Sequence, residues 1–376
     1  MKLRLPVQHM TAAVTHTARA IAARPVVPVM AGILIRTAPD GLHLAACDYE
    51  VYATDRVNAE IVDDGRILVP GRLLHDICGR LPKGADVDLE ADDTRLTLTC
   101  RAARFTLPLL PVDEYPSLPA LPPAVATVNG ESWAEAVAQV AFTASTEATL
   151  PVLSGVRVTL NGDQLAMVAT NRYRIGHRTL TVHPATGREH PEPLEALIPA
   201  KVFGDLARAY DTDRPLTLHH GNDLWGWSST DSTFMTRTLA GEFPNAIAMV
   251  PPADGTVSAP AAELTATVQR VATANTPVLL TVDRSLLRIE AGSGDDARGR
   301  DLVEVTVDGL PDGYQIAFNP GFLSEGIKAC GATEVVLHLG DRHKPATITA
   351  RTSSNDLDIA EQPYRYVVMP VRLSGS

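Results

Sequence analysis

Hydrophobic positions recur at helical spacing in several stretches of the chain, and polar and apolar residues alternate between them. Val7 to Ala23 places Met10, Val14 and Ile21 on one stripe with small Ala residues on its flanks. Trp133, Val137 and Val140 repeat the spacing behind a candidate N-cap at Asn129 or Ser132, and Leu264, Val268 and Val271 stand at i, i+4 and i+7. A second set of predicted helices carries Leu73, Ile77 and Leu81, then Val202, Leu206 and Ala209, then Phe322, Leu323 and Ile327. Such stripes place helices against a core and carry no further functional information. Between them, Arg95–Cys100 and Leu216–His219 alternate with the period of two expected of half-exposed strands. The run Tyr364–Leu373 reads as an edge-capable strand that stops in an exposed apolar hook. The class is therefore α+β, with helix and strands alternating and the helices able to share one face.

The same plan occurs three times. Pro28-Val29-Met30-Ala31-Gly32 matches Pro151-Val152-Leu153-Ser154-Gly155, and Pro277-Val278-Leu279 is a shorter version. Leu68-Val69-Pro70-Gly71, Leu197-Ile198-Pro199-Ala200 and Phe318-Asn319-Pro320-Gly321 each put a Pro where a strand end meets a helix start. Glu114-Tyr115-Pro116, Glu242-Phe243-Pro244 and Val368-Met369-Pro370 close the three parts in the same order. Pro-rich stretches at Leu118–Ala124 and Val250–Gly255 suit extended linkers, because Pro fixes φ and removes an N–H. The period is too long for a solenoid unit, so tandem domains are expected at 1–120, 126–248 and 255–373.

Charge adds a distribution rather than a sum. The net charge is −11, yet residues 1–39 hold five basic residues and no acid. Acids collect later, as in Asp86, Asp88, Glu90, Asp92 and Asp93. One basic face on an acidic exterior fits this asymmetry, as does chance clustering. Cys47, Cys78, Cys100 and Cys330 are far apart, without the spacing of a zinc site or a disulfide framework, and are expected to be buried thiols in a reducing cytoplasm. No apolar run reaches the length of a membrane span, and Met1–Pro6 leads into no signal-peptide core.

With these markers in place, the chain resembles the β sliding clamp, the processivity subunit of bacterial DNA polymerase III, in its actinobacterial form. Tyr366-Val367-Val368-Met369-Pro370-Val371-Arg372-Leu373 and Val168-Ala169-Thr170-Asn171-Arg172-Tyr173-Arg174-Ile175 carry the resemblance most strongly, with Ala23–Val29 and Gly241–Pro244 in support. It covers the chain up to Leu373. It implies a DNA-clamp fold, α+β, of three tandem similar domains with inner helices and outer antiparallel sheets. Two chains would close head to tail into a homodimer ring around double-stranded DNA. The expected partners are the DNA polymerase III catalytic subunit, the clamp loader and other proteins with a clamp-binding motif, in the cytoplasm and with no membrane and no cofactor.

The resemblance implies two sites. Arg24 matches a lumen arginine, and helix placement adds Arg19, Arg72, Arg80, Lys83, Lys201, Arg208, Arg270 and Lys328. Phosphate attraction would hold a duplex without reading its sequence. Asp76, Asp205 and Glu325 on the same helices would dilute that field. A peptide groove would have Leu153, Thr170, Arg172, Tyr173, Arg174, Ile175, Pro244 and Met249 as its floor. Its wall would be Val367, Val368, Met369, Pro370, Val371, Arg372 and Leu373, with Asn319 and Phe322 nearby. Aliphatic and Met side chains beside an extended chain end suit the apolar anchors of a peptide. Phe105 matches an interface aromatic; opposite it, Ala272, Thr273 and Ala274 are less apolar than expected, which implies a weaker dimer.

Departures from the family pattern fall on the groove: Leu150-Pro151-Val152 before Leu153, bulky Arg172 and Tyr173, and Ser374-Gly375-Ser376 past the usual terminal Leu. They leave open a specialised second clamp with an altered groove. Enzyme motifs such as GxxxxGK[ST], GxSxG and HExxH are absent from the chain. The acidic run is expected to be a solvated outer strand, and His219, His220, Trp225 and Trp227 to decorate another. A DNA-modifying enzyme is the remote alternative, separable by a divalent-dependent nicking assay.

Overall fold

The computed structural model describes residues 1–22, 24–25, 27–147, 149–185, 193–207, 213–272, 276–292, 299–351 and 359–373. Six helices are seen among them: α1 (Val7–Thr17), α2 (Gly71–Cys78), α3 (Gly130–Ala141), α4 (Ala200–Ala207), α5 (Ala261–Val271) and α6 (Pro320–Ala329). Contacts divide the chain into two compact units that cut across the expected thirds. One comprises 1–131, 182–188 and 208–238, and the other 132–181, 189–207 and 239–376.

The first unit holds a five-stranded and a nine-stranded antiparallel sheet. The nine-stranded sheet mixes chain regions: Ser232–Arg237 pairs with Val51–Val57, with Thr236 opposite Val51. Its core includes Trp225, Trp227 and Phe234, all essentially out of water. The two tryptophans are thus core residues rather than strand decoration. They are two apart on Leu224–Ser228, so both face one side of the strand. His219 is buried too, with its ring nitrogens 2.8 Å from the Pro122 carbonyl and 2.8 Å from Ser228 Oγ. The acidic strand Asp86–Ala91 is tied to Lys2–Pro6: Arg4 donates twice to Asp88, at 2.7 and 2.9 Å, and Lys2 reaches Glu90 at 3.5 Å.

In the second unit, a nine-stranded and a four-stranded antiparallel sheet carry α4, α5, α6 and nearly all of α3. The terminal strand Tyr364–Val368 is not an edge. It pairs with Arg174–Thr181 on one side, Arg174 opposite Val368, and with Ala346–Ala350 on the other. Its Tyr364, Tyr366 and Val368 side chains enter the hydrophobic core, which is why it lies inside the sheet. Only the segment after it leaves the ladder.

The helix stripes are seen with three changes, on α1, α2 and α4. On α1, Met10 and Val14 are buried, but the helix stops at Thr17 and continues as a 3-10 turn, Ala18–Ala20; Ala23 lies outside the described residues. Thr17 Oγ1 donates back to the Ala13 carbonyl at 2.8 Å, in the last turn of the helix. On α2 the buried face is Gly71, Leu74 and Cys78 rather than Leu73 and Ile77; Leu73 is 44% exposed, and Leu81 is buried but lies past the helix end. Gly71 sets this face, because a Cβ there would meet the Ile21 side chain at 2.2 Å and Ile33 at 2.9 Å. On α4 it is Phe203 that is buried, edge-on to Trp133 at 5.3 Å, while Val202 is half-buried. Ala209 and the Leu206 side chain lie outside the described residues. Trp133, Val137 and Val140 on α3, Leu264, Val268 and Val271 on α5, and Leu323 and Ile327 on α6 are buried as expected.

Candidate functional site

The strongest candidate site is built within the second unit, around the turn that joins Gln164–Thr170 to Arg174–Thr181. Asn171 wires this turn. Its Oδ1 accepts from the Tyr173 and Arg174 amides, each at 3.1 Å, while Thr170 Oγ1 accepts from the Arg172 amide at 3.1 Å. Arg172 is thereby held at φ 78°, the left-handed region that favours Gly. The turn meets the C-terminal segment directly: the Met369 amide donates to the Tyr173 carbonyl at 2.8 Å, and the Val371 amide to the Ala317 carbonyl at 2.7 Å.

Below the turn lies an apolar cluster. Leu153, Val168, Leu197 and Phe243 are buried together, with Leu150, Val152, Ile175, Leu239 and Ile247 packed on them. Of the expected floor residues the structure thus unites Leu153 and Ile175 with the turn residues Thr170, Arg172, Tyr173 and Arg174. Pro244, next to Phe243, is exposed, and the Met249 side chain lies outside the description. Sequence reasoning missed Val168, Leu197, Leu239 and Ile247, although Phe243 sits in the closing marker and Leu150 in a noted departure. Of the expected wall, Val367 and Val368 are buried as strand residues, Val368 in the core and Val367 on the opposite face, across from Ile175. Met369 is 37% exposed, Pro370, Val371 and Leu373 are half-buried, and Arg372 is exposed. The accessible wall is therefore Met369–Leu373.

The three bulky turn residues differ in their bonding. Arg174 is consumed internally. Its side chain is 11% exposed, it pairs with Glu325 on α6, and it donates to the Phe142 carbonyl at 2.8 Å. Its guanidinium also lies 4.7 Å from the Phe322 ring centre and 5.1 Å from that of Phe142. Tyr173 is 54% exposed and stacks on Phe322 at 6.4 Å. Phe322 is set by the α6 N-cap, where Asn319 Oδ1 accepts its amide at 3.1 Å. Arg172 pairs with Glu147 at 3.2 Å, both side chains more than half exposed. Glu147 carried no signal in the sequence.

The expected DNA-contacting cations are distributed over both units. In the first, Arg19, Arg24, Arg72, Arg80 and Lys83 are exposed, and Arg72 donates to the Ala22 carbonyl at 3.2 Å, tying α2 to the segment after α1. In the second, Lys201, Arg270 and Lys328 are exposed. Arg270 is engaged by Asp301, at 2.7 and 3.0 Å, and by Thr267, which reduces what it offers a phosphate. Lys328 borders a shallow cavity of about 390 Å³ between α5 and α6, half of whose lining residues are Ala. Arg208 lies outside the described residues.

Two of the sheet-edge strands among the described residues carry apolar side chains near the expected interface. Ala103–Pro108 ends the five-stranded sheet and carries half-buried Phe105, while Gly299–Glu304 ends the four-stranded sheet and carries Leu302, 44% exposed. Leu302 was missed; its alternation in Arg300-Asp301-Leu302-Val303-Glu304 was the available signal. Ala272 is half-buried just after α5, and Thr273 lies outside the description. Among the described residues, no helix is long and apolar enough to cross a membrane, and no group of three or more His, Cys, Asp or Glu is arranged to hold a metal ion.

Comparison with known proteins gives this architecture a family. Models of the DNA polymerase III beta subunit match in order along the chain: the N-terminal domain at residues 1–119, the central domain at 127–245 and the C-terminal domain at 252–372. The beta sliding clamp of Streptomyces coelicolor is 39% identical over the full length of both proteins, and that of Micrococcus luteus is 34% identical over 82% of this chain and all of that one. The crystal structure of the Pseudomonas aeruginosa sliding clamp bound to griselimycin superposes with a TM-score of 0.89 at 23% identity, covering 99% of this chain and 100% of that one. Three clamp domains in tandem, matched end to end, and relatives at this identity place the chain in the DNA polymerase III beta subunit family, the bacterial β sliding clamps, of actinobacterial type.

Proposed function

We propose that this chain is a DNA sliding clamp that encircles a duplex as a head-to-tail dimer and tethers the replicative polymerase, the clamp loader and other partners by short peptides. The observation that carries the reading is the ordered match of three clamp-domain models over nearly the whole chain. The division into domains at 1–120, 126–248 and 255–373 belongs to the same proposal. It operates in the cytoplasm and makes or breaks no bond.

The geometry supports each part. Two open sheet edges, Ala103–Pro108 and Gly299–Glu304, give two copies a way to close by strand pairing, with Phe105 and Leu302 as apolar contacts. Leu73 on α2 and Ala272 after α5 extend that apolar surface. The exposed cations of α2, α4 and α6, with Arg19 and Arg24 after α1, attract phosphate without reading bases, so the grip is weak and salt-sensitive. The turn at Arg172–Arg174 and the tail at Met369–Leu373 border an apolar floor that takes peptide anchors.

Topological linkage is the test. Clamp loaded onto nicked circular plasmid should stay bound through gel filtration and leave at once when the plasmid is linearised. Equal loss from circle and linear fragment sinks the reading, as does sedimentation that finds only monomer at micromolar concentration.

A further inference from the structure

We propose that the first unit carries a binding site for a small phosphate monoester, of the size of a nucleoside monophosphate, at Arg36 and Arg66. Neither residue belongs to the duplex-binding or peptide-binding sets described above. They stand directly opposite each other on antiparallel neighbours, Gly32–Ala38 and Arg66–Pro70. Ile35 and Ile67, one position along, are also opposite and are buried in the core. Alternation therefore sends both guanidiniums to the other face, where both residues are exposed. Like charges directly opposite on a strand pair repel and lower stability. Among the described residues, neither side chain has an ion pair or hydrogen bond to relieve this. Elsewhere arginines find carboxylates, as Arg4 does in Asp88, Arg56 in Asp231 and Arg270 in Asp301.

The pair opens onto a cavity of about 760 Å³, a volume within the range of small-molecule sites. It forms where the chain crosses between sheets. Glu60–Asp63 belongs to the five-stranded sheet and Arg66–Pro70 to the nine-stranded one, with Asp64 and Gly65 as the crossing. That crossing is braced. The Thr37 amide donates to the Gly65 carbonyl at 3.0 Å, and the Gly65 amide donates back to Thr37 Oγ1 at 2.9 Å. A Cβ on Gly65 would meet Met1 Cβ at 2.5 Å, so the crossing also packs tightly on Met1. Both arginines thus leave a fixed base at the cavity wall.

The rest of the lining selects the ligand. Two forked guanidiniums one strand spacing apart can converge on the oxygens of a single phosphate through charge-assisted hydrogen bonds. Asp64 lines the same cavity and, among the described residues, pairs with neither arginine. Its carboxylate is an acceptor only, so it suits a ligand hydroxyl or amine and repels a bare oxyanion. Pro39, Ala59 and Ile61 supply an apolar side against which a ring can lie. Nearby acids are turned away from the phosphate position. Asp40 is engaged by His43 at 2.8 Å, and Glu60 alternates to the opposite face of its strand from Ile61. A phosphate, hydroxyl groups and a flat ring on one small molecule describe a nucleoside monophosphate.

The experiment titrates the intact protein with AMP, adenosine and inorganic phosphate by calorimetry at about 50 mM salt. AMP should bind at least about fivefold more tightly than either control, and more weakly at about 500 mM salt. Arg36→Gln and Arg66→Gln should each weaken AMP binding by about fivefold or more. Their urea midpoints should hold or rise, because the repulsion across the strand pair is relieved, which separates lost binding from lost folding. Asp64→Ala should shrink the preference for AMP over inorganic phosphate by about threefold or more, since only AMP offers a hydroxyl to the carboxylate. AMP that fails to bind, AMP that binds no better than inorganic phosphate, or an affinity indifferent to both arginine variants overturns the proposal. The site lies within the first unit, so each outcome is independent of whether two chains close into a ring.

Discussion

At the scale of single residues, the fold uses one turn twice. In the first unit, Asp48 Oδ1 accepts the Glu50 and Val51 amides at 3.1 and 2.7 Å, and Tyr49 sits at φ 72°. In the second, Asn171 does the same for Tyr173 and Arg174, with Arg172 at φ 78°. Both turns cap a hairpin over an apolar cluster, but the clusters differ. In the first, the Cys47 amide donates to the Tyr115 hydroxyl oxygen at 3.0 Å, whereas Phe243 in the second has no such group. Substitution separates backbone from side chain here. Arg172→Gly should leave thermal stability unchanged or raise it slightly, while Arg172→Val should lower it by about 1–2 kcal/mol in urea denaturation, because a β-branched residue resists positive φ. Gly326 runs against ordinary helix propensity. A Cβ there would meet the Tyr366 ring at 2.2 Å, so Gly326→Ala should destabilise by about 1–3 kcal/mol despite Ala's better intrinsic preference. An unchanged urea midpoint would show that the ring moves aside freely. Neither site was legible in the sequence, since a lone Gly in a helix and an Arg in a turn look the same whether or not space or φ constrains them.

At the scale of elements, periodicity was readable and the choice of face was not. Leu264, Val268 and Val271 had one apolar stripe to offer and are buried. Around α2, however, Leu73/Ile77 and Leu74/Cys78 both fit helical spacing, and only the close approach at Gly71 decides between them. The terminal strand shows the same limit. Tyr364–Val368 was legible as a strand, but its two neighbours come from residues 174–181 and 346–350, pairings that no local pattern encodes. Of the groove residues quoted by position, Val368 turns to the core with Tyr364 and Tyr366, while Val367 alternates to the other face, opposite Ile175. Truncation separates the strand from the tail. A chain ending at Val368 keeps the strand ladder but loses the Met369 and Val371 backbone bonds, so it should unfold cooperatively with stability lowered by about 1–2 kcal/mol and lose peptide binding. A chain ending at Pro363 removes an interior strand with Tyr364 and Tyr366 from the core and should fail to give a cooperative transition. Full peptide affinity in the chain ending at Val368 would remove the tail from the site.

For the molecule as a whole, acidity tests how its buried polar groups were accommodated. In the second unit, burial holds the His177 imidazole down to about 4, with the Arg365 charge beside it adding to the effect, and burial alone holds His338 at about 4. Arg365 reaches His177 Nδ1 at 3.0 Å, so that nitrogen acts as acceptor and the ring is neutral. Both groups have folded values below the unfolded value near 6.5. Between about pH 6.5 and pH 4 the unfolded chain therefore binds more protons, and stability falls as pH falls through that window. Above about pH 7 neither contributes a slope. At pH 5 each histidine costs at most about 2 kcal/mol relative to pH 7.5, a large fraction of a typical margin. Urea unfolding followed at pH 7.5 and pH 5 should show the midpoint dropping, and His177→Gln together with His338→Gln should flatten the drop even if the double variant starts lower. Salt gives the complementary control. Exposed pairs such as Arg172 with Glu147 or Arg270 with Asp301 are screened at high ionic strength, while a buried histidine denied its proton is not. The acid slope should therefore persist at about 0.5 M salt. A slope that vanishes there would assign acid sensitivity to surface ion pairs and leave the buried imidazoles without a part in it.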